Sequence, residues 1–179
     1  MSTASLQGLA GLLHDIGRLV DELDDVEYAM PAPGRSSGGI GGHVRHCLDH
    51  VRALVAASHT GVCAYDRRAR NTEIERNRTA AIFAAGELAD AVEHFDPSLL
   101  ECQVLVETQI DHGGTMITTR STLARELVFV MSHTIHHNAI VAQMLHARGT
   151  TMAPRFGLAP ATPMDGPPEG GPYVLPCAP

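Results

Sequence analysis

MSHTIHHNAIVAQML, residues 131–145, places three histidines in a segment that otherwise has the spacing of a core helix. At about 100° per residue, His133 and His137 lie only about 40° apart on a helix, whereas His136 points nearer the rim. The face that carries the first two is otherwise apolar, with Phe129, Val130, Ile140, Val141 and Met144. Imidazoles on such a face cost free energy unless their nitrogens are bound. An HxxxH pair on a helix can supply two nitrogen ligands to one metal ion.

A second histidine cluster, GGHVRHCLDH at residues 41–50, lies in the second predicted helix. Helical geometry places His43, His46 and His50 within an arc of about 60° on the flank of the apolar face. A bundle that brings these two helices together can add a third nitrogen ligand to the HxxxH pair. Three such ligands leave coordination positions open for water or substrate. Histidines hydrogen-bonded to each other or to carboxylates, and a pH-sensitive interface, are the alternatives that the residues leave open.

The rest of the chain has the pattern of a mainly α protein. Apolar residues have helical spacing from Leu6 to about Val26, from Ile40 to about Ser58, through a third segment ending near Phe95, and from Ser121 to about Ala147. Ser121 is expected to cap the last helix, and Gly149 is expected to end it. Four long helices in one small domain predict an antiparallel four-helix bundle.

Two regions of the chain depart from helical spacing. LLECQVLVET, residues 99–108, and TMITTR, residues 115–120, flank the turn signal DHGG and predict a short β-hairpin before the last helix. Residues 150–179 hold eight of the eleven prolines, which predicts an extended tail rather than a helix. The expected organisation is a helical bundle over residues 1–150 and an extended or mobile tail over residues 151–179.

Composition restricts the kinds of partner that the protein can have. The 179 residues carry a net charge of −7 and only 4% aromatic residues, which argues against a nucleic-acid-binding surface. No stretch approaches the roughly 20 apolar residues of a membrane span, and no signal peptide is visible. The four cysteines form no CxxC pair, so we expect free thiols in a cytoplasmic protein.

The two histidine segments resemble those of the DinB/YfiT-like superfamily of metal-dependent enzymes. In that family a second-helix segment of the form S-I-x-x-h-h-x-H supplies one ligand, and GIGGHVRH at residues 39–46 matches it. The last helix supplies two ligands in H-x-x-x-H-R-G-Q-I, which HTIHHNAIV at residues 133–141 matches, and Gly149 falls where the family's helix-ending glycine stands. Asn138, Ala139 and Ile140 replace the family's Arg-Gly-Gln, so substrate specificity does not carry over.

The resemblance implies a DinB-like four-helix bundle with one divalent metal ion, most often zinc or nickel, on His46, His133 and His137. His50 is expected as a substitute or fourth ligand, and His43 is a weaker candidate. Characterised relatives include thiol-dependent S-transferases and a mycothiol-dependent isomerase. The implied function is therefore that of a hydrolase or thiol transferase whose metal activates a water or a low-molecular-weight thiol, with a small electrophile or thiol as the substrate.

Other residues near the predicted ligands have expected roles that a structure can check. Asp49 and Glu126 lie where a general base would help, but they are expected rather to hold an imidazole tautomer or to be charges at helix ends. Cys47 is expected to pack in the core. The competing class of protein is a non-catalytic helical bundle that acts by association, with a structural metal or none. The low aromatic content and the small core per helix fit a homodimer that buries one apolar face.

Overall fold

The computed structural model describes residues 3–31, 38–67 and 72–163. This part of the chain is mainly helical, with a small sheet before the last helix. The helices are α1 (Thr3–Glu22), α2 (Asp25–Ala29), α3 (Ile40–Thr60), α4 (Arg78–Glu93) and α5 (Leu123–His146), and the strands are β1 (Val62–Ala64), β2 (Gln103–Gln109) and β3 (Met116–Thr122). Across the described ranges, none of the helices combines the length and the apolarity that crossing a membrane requires.

Four long helices enclose one hydrophobic core. Helix α1 packs against α4 and α5, and α3 packs against the same two helices. The buried face of α1 follows helical spacing, with Leu9, Leu13 and Ile16 almost completely inaccessible to solvent. Burial of each such side chain stabilises the fold by about 1.5–3 kcal/mol. Helix α4 faces α1 with alanines, including Ala81 and Ala85, whose small side chains let the two helices approach closely.

The first predicted helix is divided in two. Helix α1 ends at Glu22, and α2 begins two residues after the buried Leu23. Asp24 causes the restart, because its carboxylate accepts a hydrogen bond of 2.7 Å from the backbone N–H of Glu27. This is an N-cap, which satisfies a donor that the first turn of a helix leaves unpaired.

The predicted hairpin is present, and a third strand extends it. Strands β2 and β3 pair antiparallel, while β1 pairs with β2 in parallel, with Val62 opposite Leu105. Val104 and Val106 turn one face of β2 into the core. Strand β1 follows directly after α3, and β3 leads directly into α5. The sheet therefore ties the end of α3 to the start of α5, the two helices that carry the histidine clusters.

The ends of α5 confirm one predicted signal and correct another. Ser121 is not the N-cap, because its Oγ donates to the carboxylate of Glu126. The helix starts at Leu123, and the side chain of Thr122, the last residue of β3, caps it by accepting a hydrogen bond from the N–H of Arg125. Gly149 does end the helix. Its left-handed φ of 78° lets the N–H of Thr150 donate to the carbonyl of Leu145, a closure that favours glycine at this position.

The first part of the predicted tail packs on the helices. Met152 and Phe156 contact the core cluster. Gly157 lies so close to α5 that a Cβ at this position would be 2.8 Å from the Cα of Ala139. Residues 164–179 lie outside the described residues, so the proposed boundary between residues 1–150 and 151–179 stays a prediction.

The first turn of α3 contains a glycine that no other residue can replace without a shift of backbone. A Cβ on Gly41 would lie 2.2 Å from the carbonyl oxygen of Glu75, in the 3₁₀ turn before α4. We expect Gly41→Ala to lower the free energy of unfolding by about 2 kcal/mol, since this clash outweighs the better helix propensity of alanine. Gly42→Ala is the matched control, because nothing lies within 4 Å of its Cβ. Urea unfolding that finds both variants equally stable would contradict the prediction.

Candidate metal centre

Histidines from α3 and α5 meet where the two helices pack together. His46, His50 and His133 each offer a ring nitrogen, and these atoms all lie within 4.8 Å of one another. Within residues 3–31, 38–67 and 72–163 they are the group of three side chains that could hold one metal ion. Two of them come from α3 and one from α5, so the packing of these helices creates the site.

The facing nitrogens of His46 and His133 lie at hydrogen-bonding distance, somewhat closer together than in a metal site. The Nε2 atoms of His133 and His46 are 2.8 Å apart. Two imidazole nitrogens on a tetrahedral zinc ion, each bonded at about 2.0–2.1 Å, are about 3.3 Å apart. The rings of His50 and His133 stack with their centroids 4.2 Å apart. A separation of the two facing nitrogens by roughly half an ångström would therefore be enough to admit an ion.

His50 has its tautomer set by its own helix. Its ring is buried, with 4% of its surface exposed, and its Nδ1 lies 2.9 Å from the carbonyl oxygen of His46. A carbonyl only accepts hydrogen bonds, so Nδ1 carries the hydrogen and the lone pair of the neutral ring is on Nε2. A backbone carbonyl bound to the second ring nitrogen is a usual feature of metal-ligating histidines.

The structure brings together two of the three predicted ligands, His46 and His133, and adds His50 to them. The ring of His137 is also adjacent, with its centroid 4.5 Å from that of His46 and 4.6 Å from that of His133. Its Nδ1, however, faces the Nδ1 of His43 at 2.8 Å. The assignment of His137 as a ligand of the same ion stays a prediction. His136 is exposed, as its position at the rim requires.

Two of the histidines have pKa values below the usual range. Burial, together with smaller contributions from the neighbouring histidines, His133 first among them, lowers the pKa of His137 to about 3. Burial also lowers the pKa of His43, with a smaller contribution from His136. Both rings are neutral near neutral pH, and a neutral imidazole is the form that binds a metal ion.

Aromatic rings cover the histidines on the side of the sheet. Tyr65 stacks on His50 with the centroids 5.0 Å apart, and Phe129 stacks on His133 at 5.6 Å. The two aromatic rings also contact each other. They exclude water from one side of the cluster, and an apolar surrounding strengthens the electrostatic interactions within it.

A buried carboxylate holds Tyr65 in place. Glu126 is completely inaccessible to solvent. It accepts hydrogen bonds from the hydroxyl of Tyr65 at 2.7 Å, from the Oγ of Ser121 at 2.6 Å and from the guanidinium of Arg125 at 2.8 Å. The expected partner of Glu126 was an imidazole, but the carboxylate instead positions the tyrosine that stacks on His50. Burial, followed by the charges of Cys63 and Glu126, raises the pKa of Tyr65.

Asp49 also binds arginines rather than an imidazole. Its two oxygens lie 2.9 Å from Arg45 and 3.1 Å from Arg52. Arg45 is largely buried and forms a second ion pair, 2.8 Å in length, with Glu75. This chain of charges links α3 to the 3₁₀ turn that contacts Gly41. Its role is to hold the first half of α3, which carries His43 and His46.

Within the described ranges, the three-histidine group includes no cysteine. Cys47, Cys63 and Cys102, the cysteines of the described ranges, are free thiols. Burial raises the pKa of Cys47 to about 12 and that of Cys63 to about 11. A thiol attacks an electrophile as the thiolate, which burial disfavours at both cysteines. Cys47 packs in the core, as expected.

A cavity lies on the far side of the aromatic rings. It has a volume of about 400 Å³ and is bounded by Tyr65 and Phe129 towards the histidines and by Thr119 and Ser121 of β3 towards the sheet. Its lining also includes Thr108, Arg120 and Arg125, which give it polar walls. The two aromatic rings that line the cavity are also those that stack on His50 and His133.

Comparison with known proteins adds little to this geometry. No protein-family model matches the chain. A stretch of 116 residues, 64% of this chain, is 29% identical to a protein of Rhizopus delemar named FK506-binding protein 5. The chain spans only 30% of the length of that curated relative. At this identity and coverage, the similarity does not place the chain in a family.

Proposed function

We propose that this protein is a metal-dependent enzyme of the DinB-like kind, a four-helix bundle with one divalent ion on His46, His50 and His133. The observation that carries the proposal is the convergence of these three nitrogen donors within 4.8 Å from two different helices. Imidazole ligands suit zinc and nickel. Helices α1, α3, α4 and α5 would be the four members of the bundle.

The donor set is that of a catalytic site rather than a structural one. Three protein ligands leave positions open on the ion, whereas structural zinc sites have four. When bound, a divalent ion would supply Lewis-acid chemistry that activates a water or a low-molecular-weight thiol. The chain's own contribution is to fix His50 through the carbonyl of His46 and to exclude water on one side with Tyr65 and Phe129. The substrate class in this proposal is a small electrophile, with or without a thiol.

A second candidate function is association without catalysis, as a homodimer. It is supported by β3, an edge strand of the sheet whose residues 116–120 are all exposed. Met116 and Ile117 are 46% and 41% exposed, and an exposed edge with apolar side chains can pair with a second chain. The two candidates differ in one respect, since association through the sheet does not require a metal ion.

Enzymatic activity of the protein after metal has been removed and added back distinguishes the two candidate functions. The chain is stripped of metal, reloaded with Zn²⁺ or Ni²⁺, and incubated with an activated ester alone or with a small thiol and an electrophilic acceptor. We expect turnover in one of these reactions, a loss of at least about 100-fold in His133→Ala, and no loss in His59→Ala, which removes an exposed imidazole of α3. Equal rates with and without metal in both reactions would contradict the proposal. A sedimentation coefficient of a dimer, unchanged on metal removal, would then favour association.

A further inference from the structure

The cavity between the sheet and α5 contains none of the proposed metal ligands. In the pairing of β2 with β3, Val106 stands opposite Thr119. Both side chains therefore lie on one face of the sheet, the face that the buried Val106 turns towards the helices. Thr108, on the same face, and Thr119 are exposed. The cavity of about 400 Å³ is therefore open to solvent at this end, and a small molecule can enter it.

Arg125 is the cationic residue of α5 that lines this cavity. Its guanidinium donates to the carboxylate of Glu126 at 2.8 Å and lies over the ring of Phe129, with Cζ 5.4 Å from the ring centroid. A guanidinium has five N–H donors, and within the described residues Glu126 is the acceptor that binds this one. Since the side chain of Arg125 is 66% exposed, its remaining donors can bind a ligand.

The contacts with Glu126 and Phe129 hold the guanidinium in place without covering it. A planar guanidinium binds a carboxylate through two parallel hydrogen bonds, and little conformational freedom is lost when the donor is already fixed. Glu126 is completely buried and also accepts hydrogen bonds from Tyr65 and Ser121. Because its charge balances that of Arg125, hydrogen-bond geometry rather than net charge would select the ligand.

Arg120, the arginine of β3 beside the cavity, belongs to the other face of the sheet. It stands opposite Leu105 in the register, and Leu105 is 43% exposed. Side chains alternate between the two faces along a strand, so the side chain of Arg120 is directed away from the face that carries Thr119. Arg120 is therefore a matched control for Arg125, with the same charge close to the same cavity.

We propose that this cavity binds the carboxylate group of a small organic acid, with Arg125 as the residue that determines specificity. Arg125, Phe129 and His133 follow one another at intervals of four residues on one face of α5. A rise of 1.5 Å per residue puts Arg125 about 12 Å from His133 along the helix axis. As an anchor for the substrate, the site rests on the proposed function, and the substrate would then carry its carboxylate at about that distance from the reacting group.

Binding of para-fluorobenzoate tests the carboxylate site, and para-fluorobenzamide is its uncharged counterpart. The full chain is stripped of metal with a strong chelator and dialysed, so that the acid cannot bind an ion, and each compound is titrated by fluorine NMR. We expect the wild type to bind the acid at least about tenfold more tightly than the amide. Arg125→Gln should abolish this preference, and Arg120→Gln should retain it. Arg125→Lys, which keeps the charge but not the two parallel donors, should reduce it.

Equal affinity for the acid and the amide, or no binding of the acid at millimolar concentration, would overturn the proposal. A preference that Arg125→Gln retains would also overturn it, as would an equal loss in Arg120→Gln, which would indicate a general effect of surface charge. If circular dichroism shows that Arg125→Gln is unfolded, an unchanged preference in Arg125→Lys refutes the site. The test uses metal-free protein, so it can succeed where the metal-dependent reaction fails, and the two proposals are judged separately.

Discussion

Removal of bound metal is expected to lower the midpoint of thermal unfolding of the wild-type protein by roughly 10 °C. A ligand that binds only the native state, at about 1,000 times its Kd, stabilises that state by about 4 kcal/mol. In a chain of this size, each kcal/mol shifts the midpoint by about 2–4 °C. The measurement is thermal unfolding of metal-loaded protein with and without a strong chelator, followed by circular dichroism.

Histidine variants show which side chains produce this effect. His46→Ala and His133→Ala should lose most of the chelator-dependent shift, because the Nε2 atoms of these two residues face each other at the centre of the group. His50→Ala should also lose most of the chelator-dependent shift, because His50 is the third member of the three-histidine group. Retention of the shift in His50→Ala, together with its loss in His137→Ala, would instead support the ligand set that the DinB-like resemblance implies.

A metal-free interpretation of the same histidines predicts a different pattern. Each variant would then be less stable by about 1–3 kcal/mol, through unsatisfied partners and small cavities. That loss would be the same with and without chelator. The absence of a chelator effect in the wild type would therefore refute the metal site. The control variant His59→Ala shows whether the loss of any imidazole changes the midpoint of unfolding.

The sequence predicts the helices of this site better than it predicts how they meet. Periodicity locates α3 and α5, and it places His133 on a core-facing surface, because both features follow from 3.6 residues per turn. Which imidazole of α3 reaches His133 depends on the rotation and crossing of two helices, which periodicity within one helix does not encode. His50, one turn beyond His46, is therefore a close neighbour of His133, although the sequence predicts it only as a substitute or fourth ligand.

The sequence also does not predict the contacts that depend on the sheet. The turn signal DHGG predicts β2 and β3 because their pairing is local. Strand β1 has three residues and pairs with a strand some forty positions away, so nothing in its own sequence marks it. Tyr65 follows β1, and its contacts with His50 and Glu126 depend on that long-range pairing. The prediction that Glu126 holds an imidazole was wrong, because Glu126 instead binds Tyr65, whose position depends on this long-range pairing.

Acid is expected to destabilise the metal-free protein well before its carboxylates are protonated. The pKa of His137 falls from an ordinary value of 6.5 to about 3 in the folded chain, and that of His43 is also lowered. Between pH 6.5 and about pH 3, the unfolded chain binds a proton at His137 that the folded chain does not bind. A group with a lowered pKa in the folded state therefore contributes stability that is complete above pH 6.5 and decreases as the pH falls towards 3.

The loss of stability caused by His137 can be measured in a pH range where most carboxylates do not titrate. One pKa unit corresponds to about 1.4 kcal/mol, so His137 alone accounts for a loss of about 2 kcal/mol between pH 6.5 and pH 5, where most carboxylates are still ionised. Urea unfolding of the chelator-treated chain at several pH values gives this slope. His137→Gln should reduce it markedly and His59→Ala should not. A stability that is constant from pH 6.5 to pH 5, or a slope that His137→Gln leaves unchanged, would show that this ring is not held neutral by its surroundings.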